Sequence, residues 1–158
     1  FKDSLQLLPL IPDGVKTIFD LGSGAGFPGM VLAISRPDIA VHLFESDQKK
    51  CAFLSTVSRE TDTPVIIHNE RIENVDKSLD VIPDVITARA LASLVELLEM
   101  TEMWWSSNPQ AILVFPKGAK SAEEVTEAKK KFNFDLKITP SQTEKSAAIL
   151  SLTHVQRI

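Results

Sequence analysis

The chain has one cysteine, Cys51, so no internal disulfide can hold it together, and its stability must come from buried apolar surface. No stretch reaches the roughly 18 consecutive apolar residues of a membrane span, and no basic-then-apolar leader opens the sequence. A cytoplasmic protein without membrane contact is therefore expected. Positive charge is not in excess either. The formal net charge is −4, which argues against nucleic-acid binding through overall charge and leaves only local patches: Lys49 with Lys50, Arg89, Lys117, and the run Lys129 to Lys131. Glu123, Glu124 and Glu127 precede that run at helical spacing, so it reads as a solvated helix face. His42, His68 and His154 lack the spacing of metal ligands, and no metal is expected. There is no internal repeat and no low-complexity linker. The chain opens at Phe1 and not at a methionine, so an N-terminal segment of the full protein is expected to precede it.

What the chain does have is a substantial core for its size. With 158 residues, 44% of them hydrophobic, it is expected to form one domain over residues 1–158 and to act as a monomer. Apolar strands alternate with amphipathic helices, the pattern of an α/β sandwich. Strands are expected at 17–21, 41–45, 64–68, 84–88, 111–115, 136–138 and 147–155. Helices are expected at 3–10, 28–35 (opening on Pro28), 47–60 (capped by Ser46), 93–106 and 121–132. The last two strands have too short a connection for a crossover helix and should pair antiparallel. Trp104 and Trp105 end a helix, where one should pack and the other cover the surface.

Four of the six glycines fall within Phe19 to Gly29, FDLGSGAGFPG, at the exit of the first strand. Glycines there accept positive φ and carry no Cβ, so a ligand can lie against the backbone. Gly24, Gly26 and Gly29 satisfy G-x-G-x-x-G, a dinucleotide pattern, but that match alone is weak. The tighter pattern is D-x-G-x-G-x-G, starting at Asp20. A carboxylate at Asp20 would repel a pyrophosphate yet can accept from the ammonium of a methionine moiety, which favours S-adenosylmethionine over NAD.

In open α/β sheets, ligands lie beyond the carboxyl ends of the strands, and this collects the remaining candidates. Glu45 ends the second strand about 20 residues after the glycines, where a carboxylate accepts from ribose hydroxyls in both cofactor classes. The loop Asn69 to Asn74 should border an adenine ring, with Ile72 as apolar cover and Glu73 or backbone groups for the exocyclic amine. Arg89 is placed to pair with the cofactor carboxylate or an RNA phosphate, and Lys117 with a phosphate or guanine O6. The layout as a whole is α/β of the class I methyltransferase (Rossmann-like) type, a seven-stranded, mostly parallel sheet with an antiparallel C-terminal hairpin.

Five motifs together carry a specific resemblance: FDLGSGAGFPG, FESDQKKCAFL (44–54), ERIE (70–73), ARALASL (88–94) and PKG (116–118), with DSLQLL near the start. The chain resembles the RsmG (GidB) family of bacterial guanine-N7 methyltransferases of small-subunit ribosomal RNA, over essentially its whole length. The resemblance implies S-adenosylmethionine as donor and a guanosine of 16S rRNA, free or in a small-subunit precursor, as acceptor. It also implies cofactor contacts at Gly22, Phe27, Ile72, Glu73 and Arg89, to which the residue reading adds Asp20, Gly24 and Glu45. Guanine N7 has a free lone pair, so direct displacement needs no catalytic base, and Arg89 and Lys117 would only position the acceptor. The chain has T-A-R-A where amine methyltransferases usually carry N/D-P-P-Y/F, and Cys51 sits on the wrong helix for a C5-pyrimidine nucleophile. The competing expectations are an NAD-linked oxidoreductase and a non-catalytic ribosome-assembly module.

Overall fold

The computed structural model describes residues 2–75, 80–89 and 91–158. Seven strands form one sheet: β1 (Thr17–Leu21), β2 (Ala40–Phe44), β3 (Ile66–His68), β4 (Val85–Ala88), β5 (Ile112–Lys117), β6 (Phe132–Pro140) and β7 (Ala148–Arg157). Their order is β3-β2-β1-β4-β5-β7-β6. The first five are parallel, whereas β7 runs antiparallel to both β5 and β6. This is the expected fold class. The helices are α1 (Lys2–Leu5), α2 (Gly29–Ser35), α3 (Gln48–Glu60), α4 (Leu94–Met100), α5 (Glu102–Trp105) and α6 (Ser121–Lys129).

Side-chain alternation along β1 explains why the sheet needs cover on both faces. Ile18 enters one apolar cluster with Met30, Leu32, Val41, Leu43 and Leu54, while Phe19 and Leu21 enter the other with Phe44, Leu94, Leu97 and Trp104. Ile18, Phe19, Asp20 and Leu21 all have zero exposure, so β1 is the buried centre of the molecule and presents its C-terminal end to whatever binds there.

Several boundaries differ from the sequence expectation. The helix after β1 starts at Gly29 with Pro28 as its N-cap. Asp47, not Ser46, caps α3, accepting from the backbone N–H groups of Lys49 and Lys50; its carboxylate is the stronger acceptor for those unpaired first-turn donors. The helix expected over 93–106 breaks at Thr101, whose buried hydroxyl donates to Leu97 O at 2.7 Å, and resumes as α5. That break leaves both indoles inside. Trp104 meets the Phe19 ring edge-on at 5.0 Å, and Trp105 donates its Nε1–H to Leu98 O, so neither covers the surface. β6 is nine residues long where three were expected, because its inner face is supported by the ten-residue β7 and not by its own weak apolar pattern.

Candidate active site

The glycine turn is fixed from both sides. Gly22 N–H and Ser23 N–H both donate to Phe44 O, at 2.8 and 3.2 Å, which ties the turn to the end of β2. Gly22, Gly24 and Gly26 have φ of +66°, +46° and +95°, a region costly for any residue with a Cβ. Gly29 is needed for a different reason: a Cβ there would overlap the Asp20 carboxylate and stand 2.5 Å from a Leu43 methyl. The pattern D-x-G-x-G-x-G-x-x-G therefore combines three conformational glycines with one packing glycine.

Asp20 departs from its expected role. Its side chain is wholly buried and accepts from the Thr87 hydroxyl at 2.6 Å, the Ser23 hydroxyl at 2.8 Å and the Gly29 N–H at 3.2 Å. Burial pushes its carboxyl up to about 6, against the opposing pull of those three donors. Asp20 is thus an internal tie joining β1, β4, the turn and the start of α2, with both carboxylate oxygens engaged inside the protein. Ser23 and Thr87 went unnoticed in the sequence, since Thr87 lies 67 residues from its partner.

Glu45 is where a ribose acceptor belongs, and its carboxylate is already oriented. Oε1 accepts from Gly24 N–H at 2.8 Å and Oε2 from Asp47 N–H at 2.9 Å. Each oxygen keeps a second lone pair for an incoming hydroxyl. Asn69, the first residue of the loop expected to border the adenine, braces the same corner by donating its side-chain amide to the backbone oxygens of Glu45 and Ser46. Next to it, His42 and His68, widely separated in sequence, stand 2.9 Å apart between ring nitrogens, with burial and the neighbouring His68 pushing His42 down to about 4. Cys51 is a packed residue of α3 whose Sγ–H donates to Glu45 O.

Ile72 is buried in a short 3-10 turn, and Glu73 beside it is exposed. Phe27 is half-buried beside the turn, and Gly24 is partly exposed, where a Cβ would meet Gly22 O at 3.6 Å and Glu45 Oε1 at 3.9 Å. The glycine turn, Glu45, Ile72 and Glu73 all follow the C-terminal ends of β1, β2 and β3. Bare backbone, a fixed carboxylate and an apolar side chain thus come to the same end of the sheet.

A cavity of about 610 Å³ adjoins this cradle over the ends of β4, β5 and β7. Leu91 joins the two, since it lines the cavity and its methyl would lie 3.1 Å from a Cβ on Gly22. Arg89 stands at the cavity, half-exposed, 3.9 Å from Asp3. Lys117 also lines it, but its ammonium donates to Ala92 O at 2.6 Å and pairs with Glu124 at 3.0 Å. Lys117 consequently pins α6 to the segment after β4 and is not a free cation for a phosphate or guanine O6. Ala90, in the ARALASL motif, lies outside the described residues.

Residues 1–153 match the family described as GidB, rRNA small subunit methyltransferase G. The chain is 43% identical over 159 residues to "Ribosomal RNA small subunit methyltransferase G" of Methylorubrum extorquens, covering 99% of this chain and 74% of that protein. It is 45% identical over 156 residues to the protein of the same name from Paramagnetospirillum magneticum, covering 98% and 73%. Among solved structures, a putative rRNA methylase from Clostridium thermocellum superposes with a TM-score of 0.64 at 20% identity, over 100% of this chain and 97% of that one. The B. subtilis m1A22 tRNA methyltransferase TrmK gives 0.70 at 15% identity, over 96% and 65%. The structural likenesses show a shared fold; the sequence matches remove the oxidoreductase reading, and the chain belongs to the rRNA small subunit methyltransferase G family.

Proposed function

We propose that the protein, acting as a single cytoplasmic domain and a monomer, transfers the methyl group of S-adenosylmethionine to N7 of a guanosine in 16S ribosomal RNA or a small-subunit precursor. The observation that carries this reading is the junction, through Leu91, of the positive-φ glycine turn with a 610 Å³ cavity at the same sheet end. A cavity of that size accommodates a nucleoside. When bound, the cofactor supplies an electrophilic methyl on sulfonium sulfur; the carbon–sulfur bond breaks with its pair left on sulfur as the carbon–N7 bond forms.

The residues bind and orient. Glu45 takes the ribose hydroxyls, Gly22 and Gly24 let the ligand approach the backbone, Phe27 and Ile72 cover the adenine, and Glu73 or nearby backbone groups meet its amine. Asp20 acts one step back, by holding the turn in shape. N7 presents an in-plane lone pair, so no residue has to remove a proton before attack, and positioning supplies the rate enhancement. Arg89, with exposed Lys120, Lys49 and Lys50 around the same end of the sheet, supplies the local cations for RNA phosphates that the acidic chain lacks overall.

Transfer of tritium from labelled S-adenosylmethionine to small-subunit rRNA, with cleavage mapping at N7-methylguanosine, tests the reading. Arg89→Ala is expected to lose transfer by about tenfold or more, roughly 1.4 kcal/mol in the transition state. Label at any atom other than guanine N7, or calorimetric binding of NAD in preference to S-adenosylhomocysteine, would overturn it.

A further inference from the structure

Part of the cavity wall is built by two segments that clasp each other. Gln6 donates its side-chain amide to Pro140 O at 2.7 Å and accepts from Gln142 N–H at 3.1 Å, and the Thr143 hydroxyl donates to Asp3. The segment containing α1 is thereby fastened to the connection between β6 and β7. Two side chains of this wall have no polar partner among the described residues. Ser4 is one of the residues around the cavity and is 2% exposed, and its hydroxyl is buried without a hydrogen-bond partner among the described residues. Such an orphan normally costs about 1–3 kcal/mol and calls for a reason. The Glu144 carboxylate also lines the cavity and has no partner among the described residues. The other two carboxylates there are engaged, Asp3 with Thr143 and Arg89, and Glu124 with Lys117 and the Leu94 N–H.

We propose that this clasp reads the acceptor base, with Glu144 accepting from the N1–H and exocyclic amine of guanine and the Ser4 hydroxyl completing the contact. The inference rests on the function proposed above. If N7 points to the cradle, past Leu91 and Pro28, the N1 and N2 edge of the purine faces the clasp. Guanine offers two adjacent donors on that edge, which suit one carboxylate, whereas adenine offers an acceptor at N1 that a carboxylate repels. Methylation at N7 leaves positive charge on the ring and makes those two donors stronger. The carboxylate contact therefore tightens as the transition state forms, which is the kind of interaction that raises the rate and not only the affinity. Rotation of Ser4 about χ1, among its staggered wells, turns the hydroxyl from its buried position toward the base. A base read on this edge must be unpaired, so the acceptor is a single-stranded or extruded guanosine.

The test compares parent, Glu144→Gln and Ser4→Ala on small-subunit rRNA whose mapped acceptor is either guanosine or inosine, which lacks the exocyclic amine. Glu144→Gln is expected to lower kcat/KM on guanosine RNA by about tenfold or more. With inosine RNA the penalty should shrink by about threefold or more, because one of the two contacts is already gone. S-adenosylhomocysteine affinity, measured by calorimetry, should match the parent. Ser4→Ala should lower kcat/KM by about threefold or more while the Tm stays level or rises, since the deleted hydroxyl had no native partner. Parental rates in both variants, or equal Glu144→Gln penalties on guanosine and inosine, would refute the base-reading wall while leaving the proposed function standing. Failure of the parent itself to methylate guanine N7 would remove the function, and the wall with it.

Discussion

Replacing Glu45 by glutamine tests the cradle at its most constrained point. The carboxylate is 7% exposed and each oxygen accepts one backbone N–H, from Gly24 at 2.8 Å and from Asp47 at 2.9 Å. A glutamine offers one oxygen and one NH2 group. Whichever way the amide is turned, one backbone donor ends up facing another donor. Hydrogen bonds to charged groups are worth about 1.5–3 kcal/mol, and the bond that survives also falls from charge-assisted to neutral strength, so a total cost of about 2–3 kcal/mol is expected. The way it divides depends on the flip. If the NH2 group meets Gly24, the turn loses its tie to Glu45 and the cost falls on ligand affinity. If it meets Asp47, the entry to α3 loosens and the cost falls on stability. Calorimetry with S-adenosylhomocysteine should show binding weakened by up to about 100-fold when the flip falls on Gly24, and thermal unfolding of the unliganded protein should take up the cost when it falls on Asp47. Binding within twofold of the parent together with an unchanged Tm would refute the argument, because both backbone bonds would then be dispensable.

Two further outcomes follow from the interior of the turn. The folded-state pKa of Asp20 is raised to about 6 from 3.8, so the folded protein binds this proton more tightly and the Asp20 contribution to stability falls as pH rises from about 4 to about 6, by about 3 kcal/mol. Asp20→Asn should remove that slope, which urea midpoints at pH 4, 5, 6 and 7 would reveal as a pH-dependent difference from the parent; parallel curves would show that Asp20 does not titrate in this range. Gly29→Ala should cost about 3 kcal/mol or more, since the new methyl overlaps the Asp20 carboxylate and presses on Leu43, and a loss below about 1 kcal/mol in denaturant unfolding would mean the turn can yield.

The fold was legible because its signal is local. Runs such as TIFDL and ILVFPK are apolar over the length of a buried strand, and the segments between them are long enough for crossover helices, so five parallel strands could be read in order. The short connection before β7 gave the antiparallel pair. What failed was everything set by tertiary support. In β6, Asn133, Asp135 and Lys137 alternate with Phe134, Leu136 and Ile138, so no continuous apolar run marks nine residues of strand; pairing with β7 extends it. The break at Thr101 depends on a buried hydroxyl bonding back to Leu97, and nothing in the local pattern marks it.

The site divides along the same line. The positive-φ glycines at 22, 24 and 26 and the acidic residue closing β2 are visible because each is demanded by its own position in a turn or at a strand end. In sequence, Asp20 and Lys117 read as ligand contacts at this end of the sheet, because a charge at a strand end looks the same there whether its partner is a ligand or another side chain; in the structure both are engaged by internal partners. The structure separates the cases through partners that lie far away: Thr87 for Asp20, Ala92 for Lys117. Both charges are nearly or wholly inaccessible, and a buried charge is tolerated only when its hydrogen bonds are supplied from within, so their engagement is a condition of folding. The same reasoning run in reverse points to Ser4, which like Ser151 is a buried hydroxyl without a partner among the described residues and which, unlike Ser151, belongs to the cavity wall. A hydroxyl that folding has left unsatisfied on a cavity wall, with an unpartnered carboxylate on the same wall, is available to whatever the cavity receives.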